Sequence, residues 1–368
     1  MAVSIKPSDA VPEPKCENDP ADDPRSSIEA LGPHNTIIDQ VTNFIRRFVL
    51  LKEPAFYRLI ALWVVATYFV ESFDYAPYLF FHSPERQSGK TRVLEVLEQL
   101  VCDSSGIMLS PTEAVLFRTA KGTTQLLDEV DSWENREQLQ SVLNAGNQKS
   151  GNVTRMQQNL KGGYTPVRFP VFAFRALAGI GVGILDGTTR DRTFPIQMVR
   201  QTNPERREKF RLRHLKAEID VLLSDIINWW LENKDAVSEA YDKVNLPYLE
   251  PFQDRTMDIT EPLAVILELA YKNNPRLDKV RSDFVRAISI SREEEQEESK
   301  DHLILRVLLV AAEGENPLIG NATELRDNCS DLPRELTYYD ISATLRKYGF
   351  KTKSIRKDGT SKYRYHIG

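Results

Sequence analysis

Four residues, Ser88-Gly89-Lys90-Thr91, carry the most specific chemistry in the chain. A glycine ahead of a lysine and a hydroxyl lets backbone N–H groups close around a phosphate. Lys90 then reaches the β- and γ-phosphate oxygens and Thr91 offers its hydroxyl to Mg²⁺. The surrounding loop reads Ser83-Pro84-Glu85-Arg86-Gln87-Ser88-Gly89-Lys90-Thr91-Arg92, all of it placed to line a nucleotide. It departs from G-x-x-x-x-G-K-[ST] at the first glycine, where Pro84 stands. A second motif is needed to carry the assignment.

Thr124-Gln-Leu-Leu-Asp-Glu-Val-Asp131, about forty residues further on, supplies one. An apolar strand ending in Asp-Glu matches a Walker B element. Asp128 would fix Mg²⁺ through its water shell and Glu129 would polarise the attacking water. The competing reading is a strand that leads into an acidic helix start.

A third motif, Leu185-Asp-Gly-Thr-Thr-Arg-Asp-Arg-Thr-Phe-Pro-Ile196, puts arginines just before an apolar strand. Ring-forming AAA+ ATPases place there an arginine that reaches a neighbour's γ-phosphate and stabilises transition-state charge. Arg192 is the first choice and Arg190 the second, against a surface ion pair. Arg175 is a candidate sensor near the γ-phosphate, against a structural arginine over the sheet end. Arg255 is a candidate second sensor, against a helix-start salt bridge.

The elements that must position these groups follow from periodicity. Strands are expected at Tyr78–His82, Thr124–Asp128, Val167–Phe174 and Thr193–Val199, with a helix from about Lys90; these short apolar runs are the pattern of a mainly parallel α/β sheet with nucleotide at its carboxyl edge, and the three motifs carried on it make a P-loop NTPase (AAA+-like) core the expectation. That core spans 76–202. Residues 1–30, rich in Pro and charge, are expected to be disordered. Residues 31–75 are expected to form a helical region, 203–290 a helical lid, 291–302 an acidic linker or solvated helix end, and 303–368 a winged-helix domain. The wing is a hairpin, Lys351–Arg356 and Tyr363–Ile367, turning at Asp358-Gly359.

The net charge of −5 is unevenly spread. From Asp340 onward eight basic residues face two acidic ones, leaving that tail about +6 and the remainder about −11. Lys351, Lys353, Arg356, Lys357, Lys362 and Arg364, beside the Leu345-Arg-Lys-Tyr-Gly-Phe350 helix, suit phosphate contacts with DNA, against a merely solvated hairpin. Lys149 and Arg155 lie in a glycine-rich polar loop that would face nucleic acid in a ring translocase, against a solvated loop. Five isolated histidines, His82 among them, have no metal-ligand spacing. Cys16, Cys102 and Cys329 form no C-x-x-C pair, so a cytoplasmic, reducing setting is expected. Leu59–Val70 is about a dozen residues long, too short for a membrane span, and reads as a buried helix.

Taken in order, Ala61-Leu-Trp63, the loop Ser83–Arg92, Leu127-Asp-Glu-Val-Asp131, Leu143-Asn-Ala-Gly146, Phe169-Pro-Val-Phe172, Ala176-Leu-Ala-Gly-Ile-Gly181, Asp191-Arg192 before Pro195-Ile196, Asp254-Arg255 ahead of Glu261-Pro-Leu263, and Leu345-Arg-Lys-Tyr-Gly349 resemble an uncharacterised bacterial P-loop family. That family, a domain of unknown function, is common in phage, plasmid and actinobacterial mobile elements, often beside primase or toprim modules. The resemblance runs from about Phe56 to the C-terminus. It implies that Pro84 is normal in this loop and that Arg175 replaces a lysine. It further implies an AAA+-like or helicase-like ATPase, using ATP and Mg²⁺, in replication or maintenance of mobile DNA. Expected partners are DNA, further copies of the chain in a ring, and a primase or replication protein, with no membrane. Two rivals stay open: a nucleotide-dependent switch or scaffold with little turnover, and a small-molecule P-loop kinase.

Overall fold

The computed structural model describes residues 35–367 apart from 85–86, 135, 159–161, 182–183, 201–206, 253, 315–317, 330–331, 333–335 and 358–359. It gives backbone alone for 254, 294–300, 302, 306, 310, 313–314, 318, 328, 354–357, 360–363 and 366–367. The expectation for residues 1–30 and the turn at Asp358-Gly359 lie outside the described residues.

Alternation along short apolar runs builds the centre of the molecule. The strands are β1 (Tyr78–Ser83), β2 (Ser104–Met108), β3 (Thr124–Leu127), β4 (Asn152–Gln158), β5 (Tyr164–Pro170), β6 (Arg175–Ile180) and β7 (Thr193–Gln197). Five of them form a parallel sheet in the order β2-β3-β6-β1-β7, while β4 and β5 pair only with each other. In β1, Leu79 and Phe81 enter one hydrophobic cluster, Tyr78 and Phe80 the other; Leu126 and Leu127 of β3 divide likewise. Both faces are thus covered, as a parallel sheet requires.

Helices α1 (Ile37–Phe48), α2 (Ala55–Ala66) and α3 (Lys90–Glu98) cover the first face. Helices α4 (Glu113–Thr119) and α5 (Arg136–Gly146) cover the second, and the short α6 (Gly187–Arg190) leads into β7. Helix α2 continues into a 3₁₀ turn, so Ala55–Ser72 makes an 18-residue segment apolar and long enough to span a membrane, longer than the expected dozen. It is nonetheless core, with 67% of it buried inside the protein. Three further helices, α7 (Leu212–Asp242), α8 (Asp254–Ala270) and α9 (Leu277–Gly314), join the first cluster through Leu215, Ile219, Leu263, Ile266 and Phe284.

Two expectations are corrected. The run Val167–Phe174 is not a strand of the main sheet: its first part belongs to β5, 171–174 are irregular, and the sheet strand starts at Arg175. Pro166 and Pro170 lack ladder donors, which confines this segment to a hairpin edge. The acidic run 291–302 is not a linker but the middle of the 38-residue α9. Glu, Gln and Lys are good helix formers, no Gly or Pro interrupts them, and Ile288 and Ile304 anchor the helix on either side.

The end of α9 packs with α10 (Ala322–Asn328) and α11 (Tyr338–Lys347) around Ile304, Leu308, Leu325, Ile341 and Leu345. A three-stranded sheet closes this region, β8 (Leu318–Gly320), β10 (Thr360–Ile367) and β9 (Lys353–Lys357) in that order. The strand β8 has no counterpart in the sequence reading.

Candidate functional site at the carboxyl edge of the sheet

β1 ends at Ser83 and α3 begins at Lys90, so the loop between them opens at the carboxyl edge. Gly89 caps α3 with φ 88°, a left-handed conformation that glycine adopts without strain. Gln87 is also left-handed, at φ 62°, where a side chain is strained. Ser83 Oγ and Ser88 Oγ lie 2.7 Å apart. Lys90 Nζ donates to both, at 2.6 and 3.2 Å, which holds the ammonium over the loop. Burial pushes the Lys90 ammonium below the ordinary lysine value, while Asp131 and then Asp128 pull it back up. Pro84 is exposed, and Glu85 and Arg86 lie outside the described residues. Arg92 turns away, donating to the Phe210 carbonyl at 3.1 Å and pairing with Glu95 at 3.1 Å.

The carboxylates arrive from β3. Asp128 is 3% exposed; its Oδ2 accepts from Thr91 Oγ1 at 2.8 Å and its Oδ1 from the Glu129 N–H at 2.8 Å. Glu129 is exposed and left-handed, at φ 51°. Because β6 lies between β1 and β3, the two motifs leave strands about 10 Å apart, room for a phosphate chain. Among the described residues no group of three or more His, Cys, Asp or Glu could hold a metal. The Thr91–Asp128 pair still suits Mg²⁺, which takes one or two protein ligands and completes its shell with water and substrate phosphate.

Asp131 belongs to this site although the sequence reading gave it no role. Its Oδ1 accepts from the Ile180 N–H at 3.0 Å, fastening the turn after β3 to the end of β6. The close approach needs Gly179, where a Cβ would come within 2.6 Å of Val130 Cγ2. The available signal was a third carboxylate two residues beyond Glu129. His82, buried beside the loop and stacked on Phe80, is pushed down to about 3 by burial, with Lys90 and Lys347 adding to the shift. Its imidazole is therefore neutral near pH 7 and is no source of positive charge.

The arginines stand elsewhere. Arg175 pairs in register with Tyr78 and Gln125, at the amino ends of β1 and β3, and is fully buried. A six-residue strand separates it from the loop by about 20 Å, so the sensor placement is corrected to a structural one. Arg192 also lies at the amino edge, where its carbonyl accepts from the Tyr78 N–H at 3.1 Å and its guanidinium donates to the Thr188 carbonyl. Arg255 pairs with Asp191 at 2.8 Å on that same edge, away from its own chain's loop. The partly buried Arg190 precedes them in the turn.

The residues read as nucleic-acid contacts divide. Arg155 is held by Glu113 and lies over the Phe117 ring, and Lys149 donates to the Glu71 carbonyl at 2.5 Å. Arg364 is 3% exposed and pairs with Glu324 at 3.0 Å, so its guanidinium is not a surface cation. Lys351 and Lys353 are exposed, whereas the side chains of Arg356, Lys357 and Lys362 lie outside the description.

No protein-family model matches the chain, and no curated protein matches it in sequence. The geometry establishes an α/β fold with a five-strand parallel sheet flanked by helices and a helical C-terminal region, consistent with a Rossmann-like or P-loop core.

Proposed function

We propose that the chain binds and hydrolyses ATP as an AAA+-type, helicase-like motor acting on DNA in replication or maintenance of a mobile or phage-like element. The observation that carries this reading is the meeting of loop and acidic strand. Thr91 Oγ1 lies 2.8 Å from the buried Asp128 carboxylate, with Lys90 held over the same edge. In this reading Lys90 leaves Ser83 and Ser88 for the β- and γ-phosphate oxygens. Thr91 and Asp128 set the metal position, where Mg²⁺ neutralises charge developing on the phosphates. Glu129 orients the attacking water; its left-handed backbone, costly for a non-glycine residue, supports a functional reason for the position. Arg192 lies a strand length away and serves a neighbouring copy in a ring. The C-terminal helices and antiparallel sheet act as a winged-helix module that presents Lys351 and Lys353 to DNA.

The placement of Arg175 and Arg255 away from the loop leaves a second reading, a nucleotide-dependent switch with little turnover that recruits a primase or defence effector. Steady-state ATP hydrolysis with and without single- and double-stranded DNA separates the two. The motor reading expects DNA-stimulated turnover that falls at least about 100-fold in Lys90→Ala. It also expects Arg192→Ala to recover activity when mixed with Glu129→Gln. Unchanged turnover in Lys90→Ala overturns the enzyme reading, and nucleotide-dependent assembly without DNA stimulation favours the switch.

A further inference from the structure

Cross-links along the long helix α9 fix the direction in which it carries the C-terminal region. Leu51, just ahead of α2, bridges Met198, whose N–H donates to the His82 carbonyl at 2.7 Å. The far end of α2 lies at the opposite edge of the sheet, where Trp63 Nε1 donates to the Pro77 carbonyl at 2.8 Å, just before β1. Helix α9 runs against α2, since Asp283 pairs with Arg58 and Arg286 with Glu53, each at 3.1 Å. It therefore heads for the carboxyl edge. Ser291 Oγ donates to the Pro195 carbonyl at 3.0 Å, level with Phe80 of β1. Asp301 is about 15 Å further along an unbroken helix, while Ser83 is only about 10 Å beyond Phe80. Asp301 is thus carried to the level of the loop.

Asp301 brings a cation with it. It is 9% exposed, accepts from Thr344 Oγ1 and pairs with Lys347 Nζ at 2.8 Å, so the last turn of α11 is clamped to α9. The Lys347 side chain is itself 55% exposed, open to a ligand. Its closeness to the loop is felt by His82, which burial and then the Lys90 and Lys347 ammonium groups hold in the neutral form. Meanwhile Asp128, Glu129 and Asp131 gather at this edge. Of the described cations read as phosphate contacts, Arg92 turns away, and Arg175, Arg192 and Arg255 stand at the other edge. Lys90 and one Mg²⁺ do not balance a triphosphate beside three carboxylates, and phosphoryl transfer calls for more positive charge on the phosphate oxygens.

We propose that Lys347 is a further phosphate-binding residue of its own chain's ATP site, leaving Asp301 for the outermost phosphate when ATP binds. This rests on the reading that ATP occupies the loop at Lys90. The exchange is chemically even: an ammonium gives up a carboxylate oxygen for an anionic phosphate oxygen, and both bonds are charge-assisted. Because Asp301 joins α9 to α11 through both Thr344 and Lys347, departure of Lys347 loosens the clamp on α11. The C-terminal region then registers whether the third phosphate is present. ADP lacks that phosphate and leaves the pair intact. Lys347, grouped in the sequence with cations suited to DNA, is turned by the fold toward nucleotide.

The test is isothermal titration calorimetry of the full chain with ADP and with the non-hydrolysable ATP analogue adenylyl imidodiphosphate, both with Mg²⁺. Lys347→Ala is expected to weaken binding of the analogue by about tenfold, the size of one charge-assisted hydrogen bond, and of ADP by less than about twofold. Lys347→Arg keeps the charge and should bind the analogue within about threefold of the wild type. Asp301→Asn keeps an acceptor for Thr344 but removes the competing charge, and should tighten the analogue by about threefold. Amide hydrogen exchange in α11 should rise when the analogue binds the wild type and stay level in Lys347→Ala. Wild-type affinity for the analogue in Lys347→Ala overturns the proposal. So does an equal loss for both nucleotides, or a loss in Asp301→Asn, since either marks a structural role alone. If Lys90→Ala abolishes binding of the analogue while Lys347→Ala leaves it intact, this proposal fails and the ATPase reading stands. If the wild type binds neither nucleotide, both fail.

Discussion

A guanidinium buried without a carboxylate must be satisfied by neutral acceptors, and Arg175 is. Its Nε donates to Gln125 Oε1 at 2.7 Å, Nη2 to the Val171 carbonyl at 2.8 Å, and Nη1 to Tyr78 Oη, which itself donates to the Leu143 carbonyl at 2.9 Å. Replacing it strands several buried polar atoms at once. Arg175→Leu should therefore lower unfolding stability by about 3–5 kcal/mol in urea titration while sparing ATP affinity in the folded fraction. Unchanged stability with lost turnover would instead return Arg175 to the phosphate. The loop residues were legible in the sequence because glycine, lysine and hydroxyl spacing encodes a local backbone shape. The role of Arg175 was not, because its partners come from β1, β3 and the segment before β6, and only the folded sheet brings them together. Asp131 was missed for the same reason, its partner being the backbone of Ile180.

Elements are held by a few cross-links of this kind, and Asp39 makes the clearest. It closes a capping box with Thr36 at the start of α1. It also accepts from Tyr271 Oη at 2.7 Å and pairs with Arg276 at 2.7 Å, tying α1 to the turn between α8 and α9. Burial raises its carboxyl, but hydrogen bonds from Tyr271 and Thr36 and the Arg276 charge outweigh that and hold it below the ordinary aspartate value of 3.8. A carboxyl depressed in the folded state stabilises above its unfolded pKa, and that contribution is lost as pH falls through the folded one. Asp39→Asn should cost about 2–4 kcal/mol at neutral pH, and thermal melts should find the gap closing below pH 3.8. A gap that stays constant with pH would exclude the charge as the cause. Short apolar runs make β1, β3 and β7 legible in the sequence, as strands buried on both faces of a parallel sheet should be. The same signal misplaces β6, whose leading residue is an arginine, and an acidic run reads as a helix end or linker although the helix propensity of its residues carries α9 straight through it.

Across the whole molecule the groups to which the proposed function assigns ATP chemistry lie on two edges of one sheet. Lys90, Thr91, Asp128, Glu129 and Asp131 gather at the carboxyl edge, while Arg192 and Arg255 stand a strand length away. The order β2-β3-β6-β1-β7 is what brings residues of the loop and of the acidic strand to 2.8 Å. No local pattern specifies strand order, so this proximity could be expected from the sequence but not located. The central claim, hydrolysis at this edge, is tested most directly by measuring ATP affinity and single-turnover hydrolysis separately in Glu129→Gln. The account predicts affinity within about threefold of the wild type and hydrolysis slower by at least about 100-fold, since Glu129 acts on water and not on bound phosphate. Hydrolysis at the wild-type rate in Glu129→Gln would contradict it.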